Sequence, residues 1–130
     1  MSNRIISVAG RVLIGGVFVA GGLAKLGDFS GTERLISGAG LPLVSAGVVL
    51  AVLIEVGSGA LLIAGHRTRF AAAVLAVFTL ATALIFHRNL ADPAQLPHFM
   101  KNLLIIGGLL QIVRFGAGDE TAPPAIARKS

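Results

Sequence analysis

The sequence contains no cysteine, no tryptophan and no tyrosine, and charged residues make up only 13% of its 130 positions. Without cysteine, the chain cannot itself carry out thiol–disulfide chemistry. Without tryptophan and tyrosine, it lacks the aromatic side chains that usually lie at membrane–water interfaces, so phenylalanine must serve there in part. Soluble domains carry about 25% charged residues. The shortage of charge therefore excludes an ordinary water-soluble fold.

Hydrophobic residues make up 55% of the chain, and its mean hydropathy is +0.86. They form four long segments, at about residues 5–26, 43–65, 70–86 and 98–115. Each approaches the roughly 20 residues that span a bilayer, and none alternates in the manner of β-barrel strands. We therefore predict an all-α fold, an integral membrane four-helix bundle over residues 1–116. The polar, proline-containing residues 117–130 are predicted to form a disordered cytoplasmic tail.

The connection between the first two spans carries the signals of a short helix. Ser30 and Glu33 have the spacing of a capping box, and Gly38 followed by Pro42 marks an end. We predict a helix at the membrane interface that begins with Ser30 as its N-cap residue.

The distribution of basic residues predicts the orientation of the chain in the membrane. The net charge is +5, which suggests contact with anionic lipid headgroups rather than with nucleic acid. The basic residues at one end of the predicted bundle outnumber those at the other, and they are Arg4, Arg11, Arg67, Arg69, Arg114, Arg128 and Lys129. The positive-inside rule then places both termini in the cytoplasm.

Glu55 is the only charged residue between positions 43 and 65. A charge at the centre of a span costs about 3 kcal/mol on insertion scales, so Glu55 needs a partner or a function. Arg11 lies roughly 9 Å and Glu55 roughly 15 Å from the same end of the bundle, at 1.5 Å per residue. We predict an Arg11–Glu55 ion pair with Gln111 nearby. Whether this pair only fixes the helix register or also handles protons stays open.

Steps of three and four residues place small and polar side chains on common helix faces. We predict that these faces turn towards the inside of the bundle. They comprise Arg11, Gly15, Phe18, Gly22 and Lys25 in the first span, Glu55, Gly59, Leu62 and His66 in the second, and Lys101, Leu104, Gly108 and Gln111 in the fourth.

A second polar cluster is predicted at the other end of the bundle, around Lys25, His87, Lys101 and Asn102. These side chains are candidates for binding a ligand, and the alternative is an ordinary solvated interface with snorkelling lysines. His87 and His98 lie on this side too, but no pair of potential ligands has helical spacing, so neither a metal nor a haem is expected.

Several short runs of residues occur in the chain as an ordered set. They are GLAKL at 22–26, FSGT at 29–32, GLP at 40–42, EVG at 55–57, the pattern Gly65-x-x-Thr68-Arg69, and Lys101-Asn102. Together with Arg11 and His87, this set resembles the DoxX family. The resemblance implies a four-helix protein of the bacterial inner membrane and a link to membrane redox systems, including those that handle quinones. No established catalytic mechanism comes with the family, which favours an accessory subunit over an enzyme.

Three functions remain open at this stage. The first is a membrane subunit of a redox assembly that binds a quinone or a similar lipophilic molecule and works with a redox protein partner. The second is a small-solute or proton-coupled transporter, which would act as a homo-oligomer because four helices are few for a carrier. The third is a noncatalytic anchor or assembly factor.

Overall fold

The computed structural model describes residues 3–86 and 91–118, and these residues form helices and turns without a β-strand. The helices are α1 (Asn3–Gly27), α2 (Phe29–Gly38), α3 (Val44–Ala64), α4 (Thr68–Phe86) and α5 (Leu96–Phe115). Four of them, all except α2, are long and apolar enough to cross a membrane. The predicted all-α fold, with a short helix between the first two spans, is confirmed. Most of the predicted tail lies outside the described residues.

The spans pack as a chain of neighbours, α1 against α3, α3 against α4 and α4 against α5, while α2 packs mainly on α3. The larger buried cluster joins Leu62 of α3 and Leu109 of α5 to four residues of α4, Ala71, Ala72, Leu75 and Ala76. Small alanines let the helices approach closely, which membrane helices need because lipid offers no hydrophobic driving force between them.

The contact between α1 and α3 rests on glycine. A β-carbon at Gly15 would lie 2.5 Å from the carbonyl oxygen of Gly59, and one at Gly59 would lie 2.7 Å from that of Gly15. Further along, a β-carbon at Gly22 would lie 2.6 Å from Cγ2 of Val56. Because no larger residue fits at these positions, they fix the register of the two helices.

The alternating direction of the spans gives the bundle two chemically different ends. The arginine-rich end is where α1 and α4 begin and α3 and α5 finish, and it carries Arg4, Arg11, Arg67, Arg69 and Arg114. The α2 end is where α1 finishes, α2 lies and α5 begins.

The start of α2 differs from the predicted capping box. Asp28 is the N-cap residue, and its Oδ1 accepts a hydrogen bond of 3.1 Å from the backbone N–H of Gly31. Glu33 does not reach back to the helix start, because its Oε2 accepts a 2.7 Å hydrogen bond from the Ser45 hydroxyl. The predicted cap at Ser30 is therefore wrong. The carboxylate two residues earlier is placed to satisfy the first free N–H groups.

The predicted inward face of the fourth span is also wrong. Leu104 is 76% exposed, and Lys101 and Gln111 are exposed as well. The face that packs on α4 instead contains Ile105, Leu109 and Ile112. Each of these apolar residues comes directly after a residue of the predicted face, so they have the same helical spacing. Because they occupy the contact with α4, the predicted face with Lys101 and Gln111 is kept out of the core.

Candidate functional site

Glu55, at the middle of α3, forms an ion pair with Lys25, which lies in the last turn of α1 at the α2 end. The ammonium Nζ of Lys25 donates to both carboxylate oxygens of Glu55, at 2.8 Å to Oε1 and 3.0 Å to Oε2. The Glu55 side chain is 6% exposed and that of Lys25 is 31% exposed. The Glu55 carboxylate is therefore buried, while the Lys25 ammonium is partly exposed and reaches the carboxylate from the end of α1.

The predicted contact between Arg11 and Glu55 is not formed, and the register of α1 on α3 explains why. Glu55 lies level with Gly22, since a β-carbon at Gly22 would lie 3.3 Å from Cβ of Glu55. Gly22 is eleven residues beyond Arg11, which is about 16 Å along the helix and out of reach for an arginine side chain. The predicted depths assumed that α1 and α3 end level with each other, but α1 extends beyond the end of α3 at the arginine-rich end, where Arg11 is level with Leu62 and Ile63.

Arg11 instead binds the end of α3. Its Nη1 donates to the carbonyl oxygen of Leu62 at 2.8 Å and to that of Ile63 at 3.4 Å. These carbonyls belong to the last turn of the helix, where a cation is favoured. Gly65 ends the helix with φ +74°, a conformation that favours glycine, and a β-carbon there would lie 2.7 Å from Nη1 of Arg11 and displace the guanidinium.

A cavity of about 540 Å³ lies at the α2 end, and the Lys25–Glu55 pair lines it. All five helices contribute to its walls. Most of the lining is apolar and includes Phe18, Leu35, Leu50, Phe78, Ile85 and Phe86. The polar groups are Lys25, Glu55, Thr32, Thr79, Thr82 and Asn102. An apolar chamber with a few polar groups is the usual form of a small-molecule site.

Thr79 is the residue of this cavity that the sequence reasoning missed. It is 3% exposed, and its hydroxyl has no hydrogen-bond partner among the described residues. A buried hydroxyl without a partner is costly, so this position suits a ligand that supplies one. The neighbouring Thr82 is satisfied locally, because its hydroxyl donates to the Thr79 carbonyl at 3.0 Å. The spacing Thr79-x-x-Thr82 within an apolar span was the available signal.

The structure brings together only part of the predicted ligand-binding cluster. Lys25 and Asn102 both line the cavity. Lys101 is exposed and is not part of the lining, because α5 turns it away from α4. His87 lies outside the described residues. Within residues 3–86 and 91–118, no three histidine, aspartate or glutamate side chains gather as metal ligands.

Gln111 lies with Arg11, as expected, but far from Glu55. The two side chains line a second cavity of about 270 Å³ at the arginine-rich end, between α1 and α5. The predicted trio of Arg11, Glu55 and Gln111 is thus divided between the two ends. Lys25, placed in a separate cluster by the sequence reasoning, is the partner of Glu55.

Comparisons with known proteins agree with this architecture. The family model described as DoxX matches residues 6–88. The inner membrane protein YqjF of Escherichia coli is 36% identical over 108 residues, which cover 83% of this chain and 82% of that protein. The inner membrane protein YphA of Escherichia coli is 29% identical over 122 residues, covering 90% and 87% of the two chains. No solved structure gives a significant match.

Proposed function

This chain belongs to the DoxX family of membrane proteins, and we propose that it binds a quinone or a similar lipophilic molecule in the cavity at the α2 end. In this proposal it is an accessory subunit of a redox-linked assembly, and a redox protein partner exchanges electrons with the bound molecule. We place it in the bacterial inner membrane, as its relatives are named, with both termini in the cytoplasm by the positive-inside rule.

The observation that carries the proposal is the chemistry of the 540 Å³ cavity. Its apolar walls suit a hydrophobic ring or tail, and the Lys25–Glu55 pair supplies a cationic donor and an anionic acceptor side by side. A small polar solute would leave the aromatic and aliphatic walls without favourable contacts. A lipophilic molecule with a polar head matches both parts of the lining.

The polar groups fit the two redox forms of a quinone. A quinone carbonyl accepts hydrogen bonds, and Lys25, Thr79 and Asn102 are available donors on the lining. A quinol hydroxyl donates, and the Glu55 carboxylate is the matching acceptor. The Thr79 hydroxyl, which has no hydrogen-bond partner among the described residues, belongs to the same lining. The same pair of charges therefore recognises a head group that differs by two hydrogens.

The absence of tryptophan and tyrosine makes a fluorescence test clean. A Phe78→Trp variant would carry a single tryptophan on the cavity wall. We expect saturable quenching of its fluorescence when a short-chain ubiquinone analogue is titrated into protein in lipid nanodiscs. A Leu104→Trp variant is the matched control. Its tryptophan would lie on a lipid-facing position that is 76% exposed, so quenching there should rise linearly as the quinone partitions into the bilayer.

Two further variants, made in the Phe78→Trp background, assign the polar head to the ion pair. Replacing the pair together, Lys25→Met with Glu55→Gln, removes both charges without stranding either. We expect the quinone Kd to rise about tenfold or more, since hydrogen bonds to charged groups contribute about 1.5–3 kcal/mol. Lys101→Met, at an exposed lysine of the same end, should change the Kd less than twofold. No saturable quenching, or an unchanged Kd in the double variant, would refute the proposal and favour a noncatalytic anchor.

A further inference from the structure

Arg11 presents a buried cation whose charge no described residue neutralises. It is 9% exposed, and its contacts are the carbonyl oxygens of Leu62 and Ile63. The carboxylates of the described residues are engaged elsewhere, Asp28 with Gly31, Glu33 with Ser45, Glu55 with Lys25 and Asp92 with Ala94. A buried charge is costly unless an opposite charge accompanies it.

One donor of Arg11 is unused. Its Nε is buried and has no hydrogen-bond partner among the described residues. Arg11 also lines the 270 Å³ cavity between α1 and α5, together with Ser7, Gln111 and Gly116. An arginine that lines a cavity and has an unpartnered N–H is suited to an oxygen anion, and phosphate is a preferred partner of arginine.

A second guanidinium stands beside the same cavity. Arg69, at the start of α4, lies against Gly116, where a β-carbon would be 3.1 Å from the arginine Nε. The rest of the lining is almost wholly apolar and includes Ile14 and Ile112. Ile6 and Phe115, which are 55% and 62% exposed, also border the cavity, so it adjoins the surface that faces acyl chains.

We propose that this cavity binds an anionic phospholipid, with its phosphate at Arg11 and an acyl chain between α1 and α5. The two arginines supply the attraction that a zwitterionic lipid lacks, since net negative headgroups are drawn to basic clusters at the membrane surface. The apolar walls favour a phosphate that carries a hydrocarbon chain over a free phosphate ion. This site lies at the opposite end from the proposed quinone cavity and does not depend on it.

Native mass spectrometry tests the site directly. Protein released from nanodiscs that contain equal amounts of phosphatidylglycerol and phosphatidylcholine should retain one phosphatidylglycerol molecule in preference to phosphatidylcholine. Arg11→Lys keeps the positive charge but loses the Nε donor. We expect the preference for phosphatidylglycerol over phosphatidylcholine to fall about tenfold, because the loss of one charge-assisted hydrogen bond weakens binding by about that factor. Millimolar inorganic phosphate should not displace the lipid; if it does, the site takes a free anion and the assignment to lipid is overturned.

A matched pair of glycine substitutions keeps the test independent of Arg11 and its role at the end of α3. Gly10 lines the cavity and Gly16 does not, while a β-carbon at either position would meet nothing within 4 Å. Gly10→Leu should fill the cavity and abolish selective retention, whereas Gly16→Leu should retain phosphatidylglycerol as the unaltered chain does. Equal retention by the two variants would overturn the proposal.

The acidic residues near the C-terminus are the alternative source of an anion for Arg11, and a third experiment tests them. If the unaltered chain shows no preference between the two lipids but Asp119→Asn with Glu120→Gln creates one, the anion at Arg11 belongs to the chain itself. That outcome would also overturn the proposal. We expect the double variant to retain phosphatidylglycerol as the unaltered chain does.

Discussion

Lys25 and Arg11 are two cations on one face of α1, and the structure treats them differently. Lys25 meets a carboxylate, at 2.8 Å, on the wall of a 540 Å³ cavity. Among the described residues, Arg11 donates hydrogen bonds to carbonyl oxygens and meets no carboxylate, and it lines a cavity half that size. Fourteen residues, or about 21 Å along the helix, separate them. The α2 end therefore holds a neutralised pair, while the arginine-rich end keeps a net positive charge.

Two residues on the same helix face therefore need not have the same partner. Both cations follow the same spacing, yet the register of α1 on α3 decides which of them reaches Glu55. That register depends on the backbone approach at Gly15 and Gly59. Small residues therefore determine the electrostatics of the bundle although they carry no charge themselves.

The largest effect should come from breaking the ion pair at its exposed member. Lys25→Met leaves the Glu55 side chain, which is 6% exposed, buried without a counter-charge, and we expect a loss of about 3–5 kcal/mol in unfolding free energy. Glu55→Gln should cost less, about 1–2 kcal/mol, because the freed lysine can snorkel to the interface. Unfolding in mixed micelles with increasing dodecyl sulfate measures both, and equal costs would contradict the asymmetry.

The register itself is the next target. Gly59→Leu forces a side chain against the Gly15 carbonyl oxygen, where a β-carbon already lies at 2.7 Å, and should cost about 1–3 kcal/mol or more. Gly57→Leu is the matched control on the same helix, because a β-carbon there meets nothing within 4 Å. The same unfolding titration compares them. Equal stability of the two variants would show that this contact does not set the packing of α1.

Removal of the other buried cation should have a smaller effect. Arg11→Met loses hydrogen bonds to two carbonyl oxygens but strands no charge, so we expect a cost of about 1.5 kcal/mol. Arg114→Met, at an exposed arginine of the same end, should lie within about 0.5 kcal/mol of the unaltered chain. If Arg11→Met proved as damaging as Lys25→Met, the two ends would not differ in the way described.

The smallest effect concerns the cap of α2, which forms part of the cavity wall. Asp28→Ala removes the hydrogen bond to the Gly31 N–H and should cost about 1 kcal/mol. Ser30→Ala should change the stability by less than about 0.5 kcal/mol. Hydrogen exchange of the first amides of α2 reports the difference locally. Faster exchange in Ser30→Ala than in Asp28→Ala would show that Ser30, and not Asp28, is the N-cap residue of α2.

Much of this architecture was predictable from the sequence. Four apolar segments of membrane-spanning length and a short connecting helix follow from composition and spacing, and the small-residue face of α1 does turn inward. Glu55 and Lys25 were both singled out, but the sequence analysis assigned them to different clusters. Helical spacing predicts which residues share a face of one helix, but it does not predict how far two neighbouring helices are shifted along their axes. That offset arises from the close approach of backbones at particular glycines.

Two further features could not be predicted from the sequence, for related reasons. The polar stripe of α5, with Lys101 and Gln111, has the same spacing as the apolar stripe beside it, and only packing against α4 decided which one turned inward. Thr79 is an unremarkable residue within an apolar span. Its burial without a partner became visible only when α4 was placed beside the cavity.

Photolabelling with an azido-quinone determines which end of the bundle holds the ligand. The label should attach to residues that line the 540 Å³ cavity, with Phe78 and Leu50 among them, and an excess of unlabelled quinone should prevent it. Peptide mapping by mass spectrometry locates the label. Labelling confined to residues of the arginine-rich cavity such as Ile112, or labelling that unlabelled quinone does not prevent, would contradict the account.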